Sequence, residues 1–157
     1  MICYRPAELS DVAWLAPRLR AADAAEALAA SGLAPEAALR ASLRCSARAI
    51  TAEVQGQPAA IFGVAPAAIM SGEGRVWMLG TDAVQRHARA LLVDAPLWLD
   101  ELAQGFRRLG NVVDARHGHS IRWLRRLGFQ FGHAAPAGPF GLPFLPFWKE
   151  VAPCVRA

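Results

Sequence analysis

Cysteine, tyrosine and long apolar runs are all scarce in this 157-residue chain, and each scarcity removes a class of protein. Cys3, Cys45 and Cys154 are odd in number and far apart, with no CxxC pair, which argues against a disulfide framework and a zinc site of ordinary spacing. A reducing cytosol suits that usage. No apolar run approaches the roughly 20 residues of a membrane helix. The opening Met1-Ile-Cys-Tyr-Arg-Pro also lacks the basic-then-apolar order of a secretion signal, so membrane insertion is not expected. There is no GxSxG elbow, no Walker loop and no HExxH pair, which sets aside the common hydrolase, nucleotide-binding and metalloprotease patterns. No metal is expected.

Apolar side chains are plentiful: 54% of residues are hydrophobic and 19% charged, enough for one well-filled core in a single domain spanning residues 1–157. The formal charge is +4, supplied almost wholly by arginine, and it allows an anionic partner such as a cofactor phosphate, nucleic acid or an acidic protein face. The arginines are scattered where helices are expected, without interleaved aromatics, so solvated helix faces are the simpler reading.

Residues 2–5 read as a strand that Pro6 ends, because proline cannot donate to a ladder. Ser10 and Asp11 are helix-start signals, and the apolar spacing from Val12 to Ala29 predicts a helix that Pro17 kinks or divides and Gly32 stops. Pro35 suits the first turn of a second helix. Residues 49–54 and 58–64 form a hairpin about Gln55-Gly56-Gln57, and 74–79 is the next strand. Thr81 and Asp82 cap a helix to about residue 94, and Pro96 opens a further helical segment to Leu109, with Gly110 as its stop. A strand at 111–115, a short helix at 120–127 and strands at 129–131 and 144–150 complete the order, with the Pro/Gly-rich 135–143 as a connection. The five tryptophans fall in apolar patterns and read as core, with Trp98 also placed to offer an edge to a partner.

This order, together with Val112-Val113-Asp114-Ala115-Arg116-His117-Gly118-His119-Ser120-Ile121-Arg122-Trp123-Leu124-Arg125-Arg126-Leu127-Gly128-Phe129, resembles the GCN5-related N-acetyltransferase (GNAT) superfamily. The resemblance implies an α/β (α+β) fold, a single domain with a central mixed, mostly antiparallel sheet flanked by helices on both faces. It also implies acetyl-coenzyme A (acetyl-CoA) as the cofactor, admitted where two strands splay. Leu19 to Glu26, Ala60-Ile61-Phe62-Gly63-Val64, Trp77-Met78-Leu79-Gly80-Thr81 and the strand at 111–116 further resemble a tailed-phage family similar to an internal virion protein of T7-like phages. That likeness implies a virion-associated or assembly protein, phage structural proteins as partners, and the host cytoplasm or the virion as its location.

Acetyl transfer needs a pyrophosphate anchor, a donor to the thioester carbonyl, a base for the amine and an acid for the thiolate. The superfamily's anchor is a Gln/Arg-x-x-Gly-x-Gly/Ala turn, so the resemblance assigns cofactor binding to Leu79, Gly80, Thr81, Gln85, Arg86, Ala88 and Ala90. Ala88 replaces the first glycine and the string reads as continuous helix, while Asp82 sets a carboxylate near the phosphates. Leu124 stands where the superfamily often has its acidic tyrosine, and His117 where an asparagine opens the helix. Glu26, Glu73, Asp82 and Asp114 are base candidates. Asp114 at a strand end is the most suggestive catalytic residue, with His117 beside it and His119 also able to titrate near neutrality. Each has a plainer reading: Asp114 as a turn or capping group paired with Arg116, the histidines as loop residues, and Arg20, Asp23 and Glu26 as an ion-pair row on one helix face. The missing motif residues favour a binding scaffold over an active N-acetyltransferase, with nucleic-acid binding through Arg122, Arg125 and Arg126 a third expectation.

Overall fold

Proline and glycine set most of the element boundaries in the computed structural model, which describes residues 1–153; Cys154 lies outside the described residues. Strand β1 (Ile2–Pro6) is followed by helix α1 (Leu9–Leu15), and Pro17 then sits in a single 3-10 turn (Ala16–Arg18) that separates α1 from α2 (Ala21–Ser31). The long apolar pattern is therefore two helices. Gly32 ends α2 with φ of 73°, a left-handed value that favours glycine, and Pro35 opens α3 (Pro35–Cys45). Strands β2 (Arg48–Val54) and β3 (Gln57–Pro66) turn on Gln55 and Gly56, both at positive φ, which fits the right-handed twist of a two-residue hairpin. Strand β4 (Glu73–Gly80) follows.

Two helix boundaries fall elsewhere than the sequence suggests. The expected break at Pro96 is absent: α5 (Ala88–Ala103) runs through this exposed proline, and the interruption comes at His87, after the short helix α4 (Asp82–Arg86). The cause is local. The His87 ring bonds Ala83 O at 3.0 Å while its own N–H takes the same carbonyl, and its φ and ψ leave helical values. At the other end, α5 stops before Gly105 at φ of 85°, and Leu109 and Gly110 belong to β5 (Arg108–Asp114). Gly110 serves strand packing instead, because a Cβ there would stand 2.6 Å from Phe147 O.

After α6 (Gly118–Arg126) come β6 (Gln130–Phe131), β7 (Ala135–Ala137) and β8 (Leu142–Glu150). The described strands form one sheet in the order β1-β2-β3-β4-β5-β8-β6, with β7 also paired to β8. Strand β7 arises in the stretch expected to be only a connection. Every pairing is antiparallel except β4 with β5, whose crossover is α4 and α5.

Helices cover both faces. Val12, Leu15 and Leu39 of α1 and α3 bury Ile61 and pack on Trp77 and Leu79, while Val84 and Leu91 pack with Met78 and Phe62 on the opposite face. Trp98 packs within an aromatic cluster, its ring 4.8 Å from Tyr4 and 6.1 Å from Phe62. Asp11 ties the first elements together: its buried carboxylate accepts two bonds from Arg5, one from Thr51 Oγ1 at 2.7 Å and one from Glu8 N at 2.9 Å. Burial alone would push its carboxyl up, but these donors, Arg5 first, hold it below the ordinary 3.8.

Asp11→Ala is expected to cost about 2–3 kcal/mol, because it strands the donors of β1 and β2 around a vacated carboxylate. Denaturant unfolding of the variant checks this. In the parent protein the contribution is present above the unfolded pKa and disappears as pH falls through the lower folded value, so the stability gap between parent and variant closes in acid.

Candidate functional site

Strands β4 and β5 pair only over residues 73–75 with 108–110, and beyond that they diverge. The parting is built by one side chain. Asn111 Nδ2 donates to Val76 O at 2.8 Å, and Asn111 Oδ1 accepts from Val112 N at 2.8 Å, so a carboxamide replaces the next rung of the ladder. Nothing in the sequence marked this asparagine beyond its place in a strand.

Register fixes what the open part of β4 presents. Thr81 N bonds Ala59 O, so in the β3–β4 ladder Leu79 and Trp77 turn their N–H and C=O groups toward β3. Val76, Met78 and Gly80 turn theirs toward the gap. Val76 O is taken by Asn111, Gly80 N donates to Asp23 Oδ2 at 2.8 Å, and Gly80 O accepts from Arg20 N at 2.9 Å. Met78 N–H and C=O remain facing the gap. A cavity of about 370 Å³ passes through it, from the α2 and α3 side past Trp77 and Met78 to Phe62, Trp98 and Trp123 on the α5 and α6 side.

Helix α2 crosses the mouth and explains the row Arg20, Asp23 and Glu26. Arg20 holds Asp23 through two guanidinium nitrogens, and Asp23 reaches the end of β4. Glu26 Oε1 accepts from Asp114 N at 2.9 Å at the end of β5, and its Oε2 meets His117 Nδ1 at 2.5 Å. The row thus satisfies the N–H groups at the tips of both diverging strands.

The two histidines that follow β5 are driven apart. Hydrogen bonding to Glu26 holds the His117 imidazole above its ordinary 6.5. Desolvation, with help from Arg20 and Arg122, pushes His119 below it. Both Glu26 and His119 line the cavity. Ser120 Oγ lies 3.2 and 3.3 Å from the two ring nitrogens of His117, which places it beside the ring edge between them and unlike the in-line donor of an activated serine. Asp114 does what its plainer reading described: its carboxylate accepts from Arg116 N, Nε and Nη2, and Arg116 holds its carboxyl below the ordinary value.

The anchor string lies across the α4–α5 break. Leu79 faces the α1 and α3 core, Gly80 gives its backbone to α2, and Thr81 Oγ1 caps α4 by accepting from Ala83 N. A Cβ on Gly80 would stand 2.5 Å from Val84, so that glycine allows α4 to fold tightly against β4. Gln85 and Arg86 end α4, while Ala88 and Ala90 sit in the first turn of α5, whose leading amides make no backbone bond back into α4 across the break at His87. Exposed Arg86 and Arg89 flank that turn. Asp82 belongs to the start of α4, roughly 9 Å of helix rise before Ala88. The residues present therefore suit a phosphate group through helix amides and arginines, without the glycine cradle. Leu124 lines the cavity, and Tyr4 does too with its hydroxyl committed to Asp94 at 2.7 Å; burial and Asp94 hold that phenol far above its ordinary value. Glu73 sits at the closed end of the fork beside Arg108. Arg122, Arg125 and Arg126 are exposed, with Arg125 over the Phe131 ring.

An open fork between parallel strands, crossed by helices on both faces, is the GNAT-like fold. No family model matches the chain and no curated protein matches it. Solved structures do: the acetyltransferase of the GNAT family from Streptococcus pneumoniae is 16% identical with TM-score 0.70, covering 97% of this chain and 100% of that one. Ard1 from Thermoplasma volcanium is 15% identical with TM-score 0.72, over 96% and 98% of the two chains. AAC(6')-Ib, solved with ribostamycin and coenzyme A, is 15% identical with TM-score 0.71, over 95% and 93%. At these identities the likeness establishes the fold.

Asn111→Leu is expected to cost about 1–3 kcal/mol, because Val76 O and Val112 N–H lose their partner where strands cannot supply one. Faster amide exchange at Val112, with β1 to β3 unchanged, is the readout that ties the loss to the fork.

Proposed function

We propose that this chain is an acetyl-CoA-dependent N-acetyltransferase. The observation that carries the reading is the open fork, in which the Met78 N–H faces a continuous cavity that His119 lines from the opposite strand's end. Bound acetyl-CoA supplies a thioester acetyl group. The Met78 N–H is placed to donate to a carbonyl in the gap, the α5 amides with Arg86 and Arg89 hold phosphate, and the α2 row fixes the mouth.

His119 is the base. Desolvation holds its pKa below the ordinary histidine value and so favours the neutral imidazole, which can take a proton from the acceptor ammonium to free the attacking amine. Glu26 offers a carboxylate to the incoming cation, and His117, protonated more readily through Glu26, orients that carboxylate. No side chain of α6 replaces the acidic tyrosine at Leu124, and Asp114 is too firmly held by Arg116 to serve as base.

A virion-associated or assembly role with phage structural partners, in the host cytoplasm or the particle, is the second reading. It rests on the sequence resemblance and on Leu124 and Ala88 standing at motif positions. The protein's presence in purified phage particles supports it, and absence from particles and assembly intermediates removes it.

Thiol release from acetyl-CoA with an amine panel tests the enzyme reading. The expected kcat profile rises through an apparent pKa below the ordinary histidine value, and His119→Ala lowers kcat/KM by about 10²-fold or more. A profile unchanged in His119→Ala removes the base assignment, and no release with any amine favours the scaffold.

A further inference from the structure

The acceptor side of the cavity differs in character from its mouth. Between α2 and α3 it is lined by Ala30, Leu33, Ala41 and Ser42, with Trp77 as floor and Val112 as wall. Several of these are open to solvent: Ala30, Leu33 and Ala41 are exposed, and Val112, though a strand residue, is 40% exposed. Among the described cavity-lining residues, Arg20 and Glu26 alone are Asp, Glu, Lys or Arg; Arg20 is paired with Asp23, and Glu26, which accepts from Asp114 N and His117, keeps carboxylate lone pairs for one further donor. The acid on α3, Glu36, is paired with Arg40 at 3.0 Å. The groove therefore offers one carboxylate at its inner end and neutral surface outward from it.

We propose that the acceptor is a monoamine with an uncharged, apolar body: one ammonium meets Glu26, and the remainder lies along Trp77, Leu33 and Val112. This deepens the acetyl-transfer reading and rests on it. A second ammonium lying along this apolar surface would find no carboxylate among the described lining residues beyond Glu26 and would give up part of its hydration against Trp77, which costs binding. In the reaction the amine nitrogen forms a bond to the acetyl carbon as the carbon–sulfur bond breaks. The bound ammonium first gives one proton through His119 to water, leaving the neutral amine that attacks; the second proton, shed as the amide forms, passes through water to the thiolate, and coenzyme A leaves as thiol. The same chemistry has two sources, a small arylalkylamine or the amino terminus of a polypeptide beginning with small apolar residues.

The test compares 2-phenylethylamine, an alanyl-phenylalanine amide and spermidine by kcat/KM. One of the first two is expected to exceed spermidine by about tenfold or more, and which one does so identifies the source. Spermidine or an aminoglycoside at parity or better overturns the proposal while leaving acetyl transfer intact. Ala41→Glu, which adds a carboxylate to the groove, is expected to shift the ratio toward spermidine. If no amine is acetylated, the enzyme reading fails separately, and calorimetric titration of the same amines onto the protein still decides the groove chemistry. Tighter binding of either monoamine supports it; equal or tighter spermidine binding, or no monoamine binding, overturns it.

Discussion

Asn111 substitutes its own carboxamide for one rung of the β4–β5 ladder, and the two strands can then part without stranding a backbone group at the vertex. A parallel pair that simply stopped would leave Val76 O and Val112 N–H unsatisfied in the middle of a sheet. Farther out, the same problem recurs at the strand tips and is met by carboxylates from α2: Asp23 at Gly80 and Glu26 at Asp114. The gap is held open by polar satisfaction at the vertex and both tips, and the Met78 N–H and C=O face into it with the Val112 C=O opposite.

The charges that solve the backbone problem also create the site's chemistry. Glu26 takes both the Asp114 N–H and the His117 imidazole, while Asp23 is neutralised by Arg20. His117 and His119, two residues apart, are consequently driven in opposite directions, one by a carboxylate and one by desolvation beside arginine. Environments that separate two like groups in this way are how a single fold assigns acid and base roles.

Much of the fold was legible because it depends on local rules. Pro17, Gly32 and Pro35 mark helix ends through fixed φ or missing N–H groups, and the Gln55-Gly56 turn marks a hairpin. What the sequence hid depends on partners far away in the chain. Gly110 looks like a helix stop until Phe147 O is placed against it, and Asn111 looks like any strand residue until Val76 is opposite. The break at His87 is a competition between ring and backbone for one carbonyl, which periodicity does not register. The row Arg20, Asp23 and Glu26 was visible at helical spacing, but its role at two strand tips was not.

The central claim is that the fork accepts acetyl-CoA, and thermal unfolding with and without that ligand, backed by calorimetric titration, tests it most directly. Ligand at about 100 times its dissociation constant adds about 2.7 kcal/mol, or roughly 5–11 °C for a domain of this size. A rise of that order with a stoichiometric heat is the predicted result. No shift and no heat at millimolar acetyl-CoA would contradict the account and leave the fork as a structural feature alone.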